Sequence, residues 1–586
     1  IPRRCIIIST MCTGKTGNES SQKAEPALGR HFGRQALEIQ SKQSCPGSTI
    51  YWRKEQKMVR KSLSSVDTAW VRMEEPANLM MISGVMVFGM PMDCERLKAT
   101  LAKRLLRFNR FRQRIIRPVL GVPYWEDDPD FDLNYHVQLA TLPSPGDQAA
   151  LQDVASLLAS TQLDPSRPLW QFHLIEQYGD GCALICRLHH SIGDGLALVH
   201  VLLSATDVEP GTPWPIVEPQ VKRRRRPSPM GRLLRPARVA CKTTRKMTGT
   251  VLGQFNEVRA DPAHAVDLAR VGVRGTTALA RLLLLWPDRK TIFKGPLHVP
   301  KRAAWSAPIP LKEIKLIGGE LGGTVNDVLL TAMSGALRRY LLARGERVDG
   351  LNFRAIVPVD LRKPGTEEEL GNKFGLVFLS LPVGIVDPTE RLGELRRRMD
   401  GLKDTLEAPV AYGIVSTIGR LPQAMQDIVV DIFGLKGTAV MTNVIGPSKQ
   451  LYLAGAPLES IMFWVPQSGH LGLGVSILSY NGQVWMGTAT DAGLVPDPDA
   501  IIDAFHAEYG ELLEVAHRAQ DAEELHTTAT EPKAPQVEES LPETEGAGAE
   551  DVPAEHLEQC RALTKAGSRC KNRPQPGSDF CHVHRD

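Results

Sequence analysis

Apolar and polar residues alternate in organised fashion over two blocks of the chain, and hardly at all outside them. In the first block, from about 63 to 210, strand-like and helix-like runs follow one another. Residues 81–88 and 171–175 read as strands, and 94–106 repeats apolar positions at helical spacing. The run Ala183-Leu184-Ile185-Cys186-Arg187-Leu188 reads as a buried strand, and a helical stretch over 196–203 follows it. In the second block, from about 300 to 515, residues 324–342 form a helix by period, with Gly322-Gly323 before it. Residues 353–359, 374–383, 472–478 and 483–489 are strand-like, and 499–516 reads as a closing helix. Strands interleaved with helices predict α/β or α+β architecture in both blocks.

The remaining segments differ in composition. Residues 1–57 are polar and Ser/Gly/Gln-rich, and Met58 stands just before the organised sequence. We expect a disordered extension or an artefact of start-site assignment there. The expected organisation is a first lobe over 58–215, a basic helical linker over 216–299 and a second lobe over 300–518. An acidic disordered linker over 519–555 and a compact tail over 556–586 complete it.

Size and charge narrow the function classes. The chain has 586 residues, 42% of them hydrophobic, which is ample for a large core. A net charge of +4 at this length does not point to nucleic acid. No apolar run reaches the roughly 18 residues needed to cross a bilayer. The most lipophilic stretches, 79–90 and 278–286, read as a core strand and a core helix. The start of the chain carries no signal-peptide pattern, and the cysteines are scattered except at the C-terminus, so the expected location is the reducing cytoplasm.

Lys222 to Lys246 carry eleven Lys/Arg residues, and no acid occurs between Glu218 and Glu257. Three readings stay open: a solvated linker, a peripheral contact with an anionic lipid surface, or a phosphate contact. The stretch 521–558 holds twelve Asp/Glu and one Lys, which is the composition of a disordered acidic linker.

Two clusters carry chemistry. His189-His190-Ser191-Ile192-Gly193-Asp194-Gly195 has the form HHxxxDG and sits where the apolar strand ends and a helix begins. Imidazole is the side chain best suited to accept an alcohol proton near neutral pH. Strand alternation puts His189 and His190 on opposite faces, so at most one of them reaches a given site. Gly195 would permit a tight turn or close helix packing. Cys182 and Cys186 share one strand face with Leu184 and Leu188, and read as buried thiols rather than metal ligands. The second cluster is Cys560, Cys570, Cys581 and His584. Three thiols and an imidazole separated by turn residues match a closed, tetrahedral structural Zn²⁺ site.

Beyond these, Pro168-Leu169-Trp170 precedes the His-His strand. Val325-Asn326-Asp327-Val328, Pro358-Val359-Asp360-Leu361-Arg362, Gly371-Asn372-Lys373-Phe374-Gly375 and Asn443-Val444-Ile445-Gly446-Pro447 follow downstream. With Leu63-Ser64-Ser65-Val66-Asp67 at the start, this order over about residues 62–515 resembles the bacterial wax ester synthase/diacylglycerol acyltransferase family. HHxxxDG alone is shared with other CoA-dependent acyltransferases and with peptide-synthetase condensation domains. The C-terminal tail resembles small Cys-Cys-Cys-His zinc modules.

The resemblance implies two lobes like those of chloramphenicol acetyltransferase, each a mixed sheet flanked by helices, with the site in a tunnel between them. It implies acyl transfer from a long-chain acyl-CoA to diacylglycerol or a long-chain alcohol, without a catalytic cofactor. His190 would be the general base, and Asp194 an ion-pair partner shaping the loop. His189 and Gly195 would hold the motif in place. Pro168, Leu169 and Trp170 are expected to bind substrate near the acyl channel, although core packing accounts for them nearly as well. Asn326 either caps its helix or supports the tunnel. Peripheral contact with a membrane or lipid-body surface is expected, and nucleic-acid binding is not.

Overall fold

A computed structural model describes residues 60–530, apart from 119–120, 211–283, 363–369, 404, 406, 420–422 and 468. Chain contacts separate Ile1–Glu524 from Leu525–Asp586, and of the second unit only the end of one helix is described. The first half of the chain supplies β1 (Lys61–Ser62), β2 (Met81–Phe88), β3 (Gln113–Ile116), β4 (Tyr124–Asp127), β5 (Val137–Ala140), β6 (Trp170–Tyr178) and β7 (Gly181–His189). Its helices are α1 (Ser65–Met73), α2 (Cys94–Arg104), α3 (Leu133–His136), α4 (Gln148–Ala159) and α5 (Gly195–Leu203). The second half supplies β8 (Lys301–Trp305), β9 (Ile309–Pro310), β10 (Phe353–Asp360), β11 (Phe374–Leu381), β12 (Ala439–Ile445), β13 (Tyr452–Leu453), β14 (Ala456–Trp464), β15 (Leu473–Tyr480) and β16 (Gln483–Asp491). With them come α6 (Leu311–Leu321), α7 (Val325–Ala343), α8 (Pro388–Lys403), α9 (Glu407–Ile418), α10 (Gln423–Lys436) and α11 (Asp499–Thr530).

Every residue of β7 is buried, because the strand lies between β2 and β6 with cover on both faces. That is why its sequence is a continuous apolar run rather than an alternation. The strand needs glycine at its start: a Cβ on Gly181 would lie 1.9 Å from the Phe88 carbonyl oxygen. Cys182 and Cys186 are buried thiols, as their strand pattern indicated.

The first sheet has the order β13-β14-β2-β7-β6-β5, and the second β11-β10-β12-β15-β16-β8, with β9 also on β16. Both are mixed: β5–β6, β10–β12 and β12–β15 are parallel pairs, and the others antiparallel. The two-lobed α/β reading therefore holds.

Three details differ from the sequence expectation. Strand β14 leaves the second half of the chain and pairs along β2, from Leu458 opposite Phe88 to Trp464 opposite Ser83, so the first sheet is completed by residues assigned to the second lobe. An apolar run does not disclose which sheet edge it will join. Helix α11 continues to Thr530, well past 516 and into the stretch expected as linker. At the end of the lipophilic stretch 278–286, read as a core helix, Leu284 and Trp286 are exposed at 77% and 83%.

Candidate active site

His190 follows the end of β7, where its N–H donates to the Met80 carbonyl at 2.7 Å. Its ring stacks on Trp70 of α1 at a centroid distance of 4.2 Å and meets Phe374 of β11 at 5.8 Å. The residue is 5% exposed and lies on the wall of a large pocket. Its Nδ1 is sealed from solvent without a well-formed hydrogen bond. Burial pushes its pKa below the usual histidine value, while Asp194, its own main-chain carbonyl, Asn372 and Asp67 oppose that shift.

His189 turns the other way. Ser191 N donates to its Nδ1 at 3.1 Å, and Ser191 Oγ lies 2.7 Å from the same atom. Nε2 stands 3.6 Å from Glu74 Oε1. Burial lowers the His189 pKa to about 3 and raises that of Glu74, so this contact joins a neutral ring to a desolvated carboxyl and is not an ion pair. His189 therefore positions the turn, and only His190 reaches the pocket.

Asp194 caps α5, accepting from Ala197 N at 3.0 Å. Its other oxygen accepts from Arg362 Nη2 at 2.6 Å and from Lys373 N at 3.0 Å, both on the second lobe. Arg362 also donates to Gly371 O at 2.7 Å and to Asp360 Oδ1 at 3.0 Å. The aspartate of the motif thus clamps one lobe to the other.

A second bridge was not assigned any role from the sequence. Asp67 of α1 is 1% exposed and accepts from Asn372 Nδ2 at 2.8 Å and from Arg110 Nη2 at 3.0 Å. Asn372 Nδ2 also donates to the His190 carbonyl at 3.0 Å, and Arg110 Nη1 to the carbonyls of Ser191 and Ile192, each at 2.8 Å. The carbonyls of His190, Ser191 and Ile192 are thereby fixed by an amide and a guanidinium group. Asp67 and Asn372 stand in segments whose order carried the family resemblance, but no spacing rule brings them together across 305 positions. Trp70 was missed for the same reason.

The pocket encloses about 1450 Å³, counting the part open to solvent. Its walls are mainly apolar, from α1 (Val66, Ala69, Trp70, Met73), α9 (Ala411, Ile414, Val415) and α10 (Val429, Val430, Phe433). Polar groups are few: His190, Asp194, Asp360, Tyr412, Thr442 and Asn443. Gly375 lets α9 approach β11, since a Cβ there would lie 1.9 Å from the Ala408 carbonyl oxygen. A smaller cavity, about 540 Å³ and lined in part by Met81, Lys301 and Arg302, shares the Val465–Pro466 wall.

Several expected site residues fall elsewhere. Pro168, Leu169 and Trp170 line neither cavity. Trp170 is fully buried in the first lobe, stacked 4.4 Å from His136 and donating from Nε1 to Phe111 O at 2.9 Å. Leu169 O accepts from His189 N at 3.0 Å. These residues pack behind the His-His strand, away from both cavities.

Gly195 is not in the left-handed region and would meet only Val465 with a Cβ, at 3.9 Å. It makes no tight turn; it lines the pocket. Asn326 is not the helix cap either, because Thr324 and Asp327 form a capping box on α7. Its Oδ1 instead accepts from Asn443 Nδ2 at 3.1 Å, steadying a residue of the pocket wall. Cys560, Cys570, Cys581 and His584 lie outside the described residues, among which no cluster of metal-ligating side chains occurs.

A histidine at the end of a central strand, facing an apolar chamber between two mixed sheets, is the arrangement that the motif order led us to expect. Residues 63–329 match the wax ester synthase/diacylglycerol acyltransferase catalytic domain, and residues 370–513 match the C-terminal domain of the same family. The chain belongs to the wax ester synthase/diacylglycerol acyltransferase family. It is an acyltransferase. A Mycobacterium tuberculosis protein named as a probable diacylglycerol O-acyltransferase is 27% identical over 473 residues, spanning 78% of this chain and 96% of that one. The solved wax ester synthase/diacylglycerol acyltransferase from Marinobacter aquaeolei VT8 shares the fold with a TM-score of 0.53 at 22% identity, over 78% of this chain and 100% of that chain. The first condensation domain of the calcium-dependent antibiotic synthetase shares it with a TM-score of 0.50 at 15% identity, over 78% and 96%.

Proposed function

We propose that the chain transfers a long-chain fatty acyl group from acyl-CoA to diacylglycerol, with long-chain alcohols as further acceptors, and that His190 is the general base. The observation that carries this reading is a buried imidazole on the wall of a large apolar pocket; burial holds its pKa below the usual histidine value. Nε2 takes the acceptor hydroxyl proton as the oxygen attacks the thioester carbonyl. The new ester C–O bond forms, the C–S bond breaks, and the imidazolium returns the proton to the departing CoA thiolate. No covalent acyl-enzyme is needed. The Thr442 hydroxyl and Asn443 amide, facing the same pocket from β12, are the second-lobe candidates for stabilising the oxyanion. Two cavities meeting at Val465–Pro466 would suit entry of the two substrates from different sides.

Thiol release from palmitoyl-CoA, measured with diacylglycerol, with hexadecanol, with an amine acceptor and with none, tests the assignment. Release dependent on diacylglycerol is expected. Release dependent only on the amine would assign another acceptor class within the superfamily.

The enzyme would work in peripheral contact with a membrane or lipid-body surface, because its acceptor resides there. Among the described residues no helix is long and apolar enough to cross a membrane. We further propose that the Cys560/Cys570/Cys581/His584 tail holds a structural zinc. Metal analysis of the full chain against its Cys570→Ser variant tests this.

A further inference from the structure

Helix α10 is apolar on two sides. Val429, Val430 and Phe433 face the pocket, whereas Met425, Ile428, Ile432 and Leu435 are exposed at 52%, 59%, 41% and 44%. At helical spacing these four form one stripe, and Met425 adjoins the pocket-facing Val429 at the stripe's edge. The exposed Trp286 lies beside the helix end. Asp288 N donates to Leu435 O at 3.0 Å, and Arg354 Nη1 donates both to Trp286 O at 2.9 Å and to Lys436 O at 3.0 Å. Exposed Arg289 and Lys290 follow Trp286 in the chain. Four large apolar side chains exposed on one helix face, with an exposed tryptophan at the helix end, form a patch of the kind that marks an interaction site. Exposed Asp427 and Asp431 border the stripe on its other edge, away from the edge where Met425 meets the pocket wall, and Asp431 Oδ1 stands 3.8 Å from His470 Nε2.

We propose that this face of α10, with Trp286, is where the enzyme docks on a phospholipid surface. The proposal rests on the reading of the pocket as the site of lipid acylation, and two observations select the occupant. The helix that carries the stripe is itself a wall of the His190 pocket, so a lipid leaving the surface would cross a single helix width to reach the base. Next to the stripe stand a tryptophan and two cations, the side chains that settle at headgroup level. The stripe enters the acyl-chain region, and Arg289 and Lys290 meet the phosphates.

Flotation of the full-length enzyme with phosphatidylcholine/phosphatidylglycerol vesicles tests this, comparing the parent with Ile428→Glu/Ile432→Glu. Neither residue lines the pocket. The variant should lose at least tenfold in vesicle partitioning while turning over butyryl-CoA with butanol, both monomeric in water, at the parental rate. Should the double variant fold poorly, Ile432→Cys carrying an environment-sensitive fluorophore gives a second reading, with a blue shift expected on vesicle addition. Equal partitioning of parent and variant, or an unshifted probe, overturns the proposal. So does a dimeric parent that the substitutions render monomeric with vesicle binding unchanged, which would assign the face to a second copy. Vesicle binding and soluble turnover are read separately, so a failure of acyl transfer is distinguishable from a failure of docking.

Discussion

Replacing Asp194 by asparagine should loosen the joint between the lobes and, through it, the base. The carboxylate serves three donors: Ala197 N on its own helix, and Arg362 Nη2 and Lys373 N on the other lobe. An amide cannot serve all three. If its oxygen keeps the helix cap, its NH₂ faces the guanidinium and a backbone N–H. If it turns over, the cap is lost, at about 0.5–2 kcal/mol. Arg362, with a side chain 2% exposed, then retains Gly371 O and the partly exposed Asp360. Breaking a buried pair from one side costs about 3–5 kcal/mol. The remaining Asp360 contact places the expectation near the lower end, about 3 kcal/mol.

Lys373 and Gly371 flank Asn372, which holds the His190 carbonyl, so the loss should also reach turnover. A displacement on the order of 1 Å in a catalytic group costs about 10²-fold, and it should appear in kcat more than in KM. Urea denaturation and steady-state kinetics on Asp194→Asn, Arg362→Met and the double variant form a cycle. The double variant should lose about 1–3 kcal/mol less than the sum of the singles. Arg362→Met should depress kcat although Arg362 lies outside the pocket wall. Asp194→Asn stability within about 1 kcal/mol of the parent, or a loss of turnover in Asp194→Asn that Arg362→Met does not share, would refute the clamp. The second result would indicate direct proton transfer by Asp194.

Acid should destabilise the protein through its buried histidines. Burial holds His136 at about 4 and His173 and His189 at about 3, against about 6.5 when unfolded. The unfolded chain therefore binds more protons below 6.5, so stability is full above that pH and falls as pH drops toward the folded values. The slope is up to about 1.4 kcal/mol per pH unit for each residue. A Tm that is flat between pH 7.5 and 5 would contradict this. Gly195→Leu should shift acyl preference toward shorter chains at little cost in stability, since a Cβ there meets no backbone and the chain beyond it enters the pocket; chain-length profiles of the two proteins check it. Trp170→Ala should cost about 3–5 kcal/mol and leave the chain-length profile unchanged, as expected of a core residue; a changed profile would restore Trp170 to the acyl channel.

Local pattern carried most of the secondary structure. The strands around β7, the helices α5 and α7 and the strands β10, β11, β15 and β16 follow from apolar spacing, because each buries a face that its own period defines. Pairing was not legible. Strand β14 reads as apolar whichever sheet it completes, and its place beside β2 depends on shape complementarity over hundreds of residues. The site divides in the same manner. His190 is visible from chemistry at a strand end, and Asp194 from its motif. Its partner Arg362, and the Asp67–Asn372 bridge beneath the His190 carbonyl, exist only once two lobes meet. Pro168-Leu169-Trp170 shows the converse: proximity in sequence to the active strand reflects packing behind it.

The most direct test of the account is acceptor-dependent thiol release by His190→Ala. The side chain is stacked on Trp70, and among the described residues its Nδ1 has no well-formed hydrogen bond, so the fold should survive with a small cavity, and near-ultraviolet circular dichroism can confirm it. Loss of the base should lower kcat by about 10²–10⁴-fold. A folded His190→Ala enzyme that releases CoA at the parental rate would contradict the central claim.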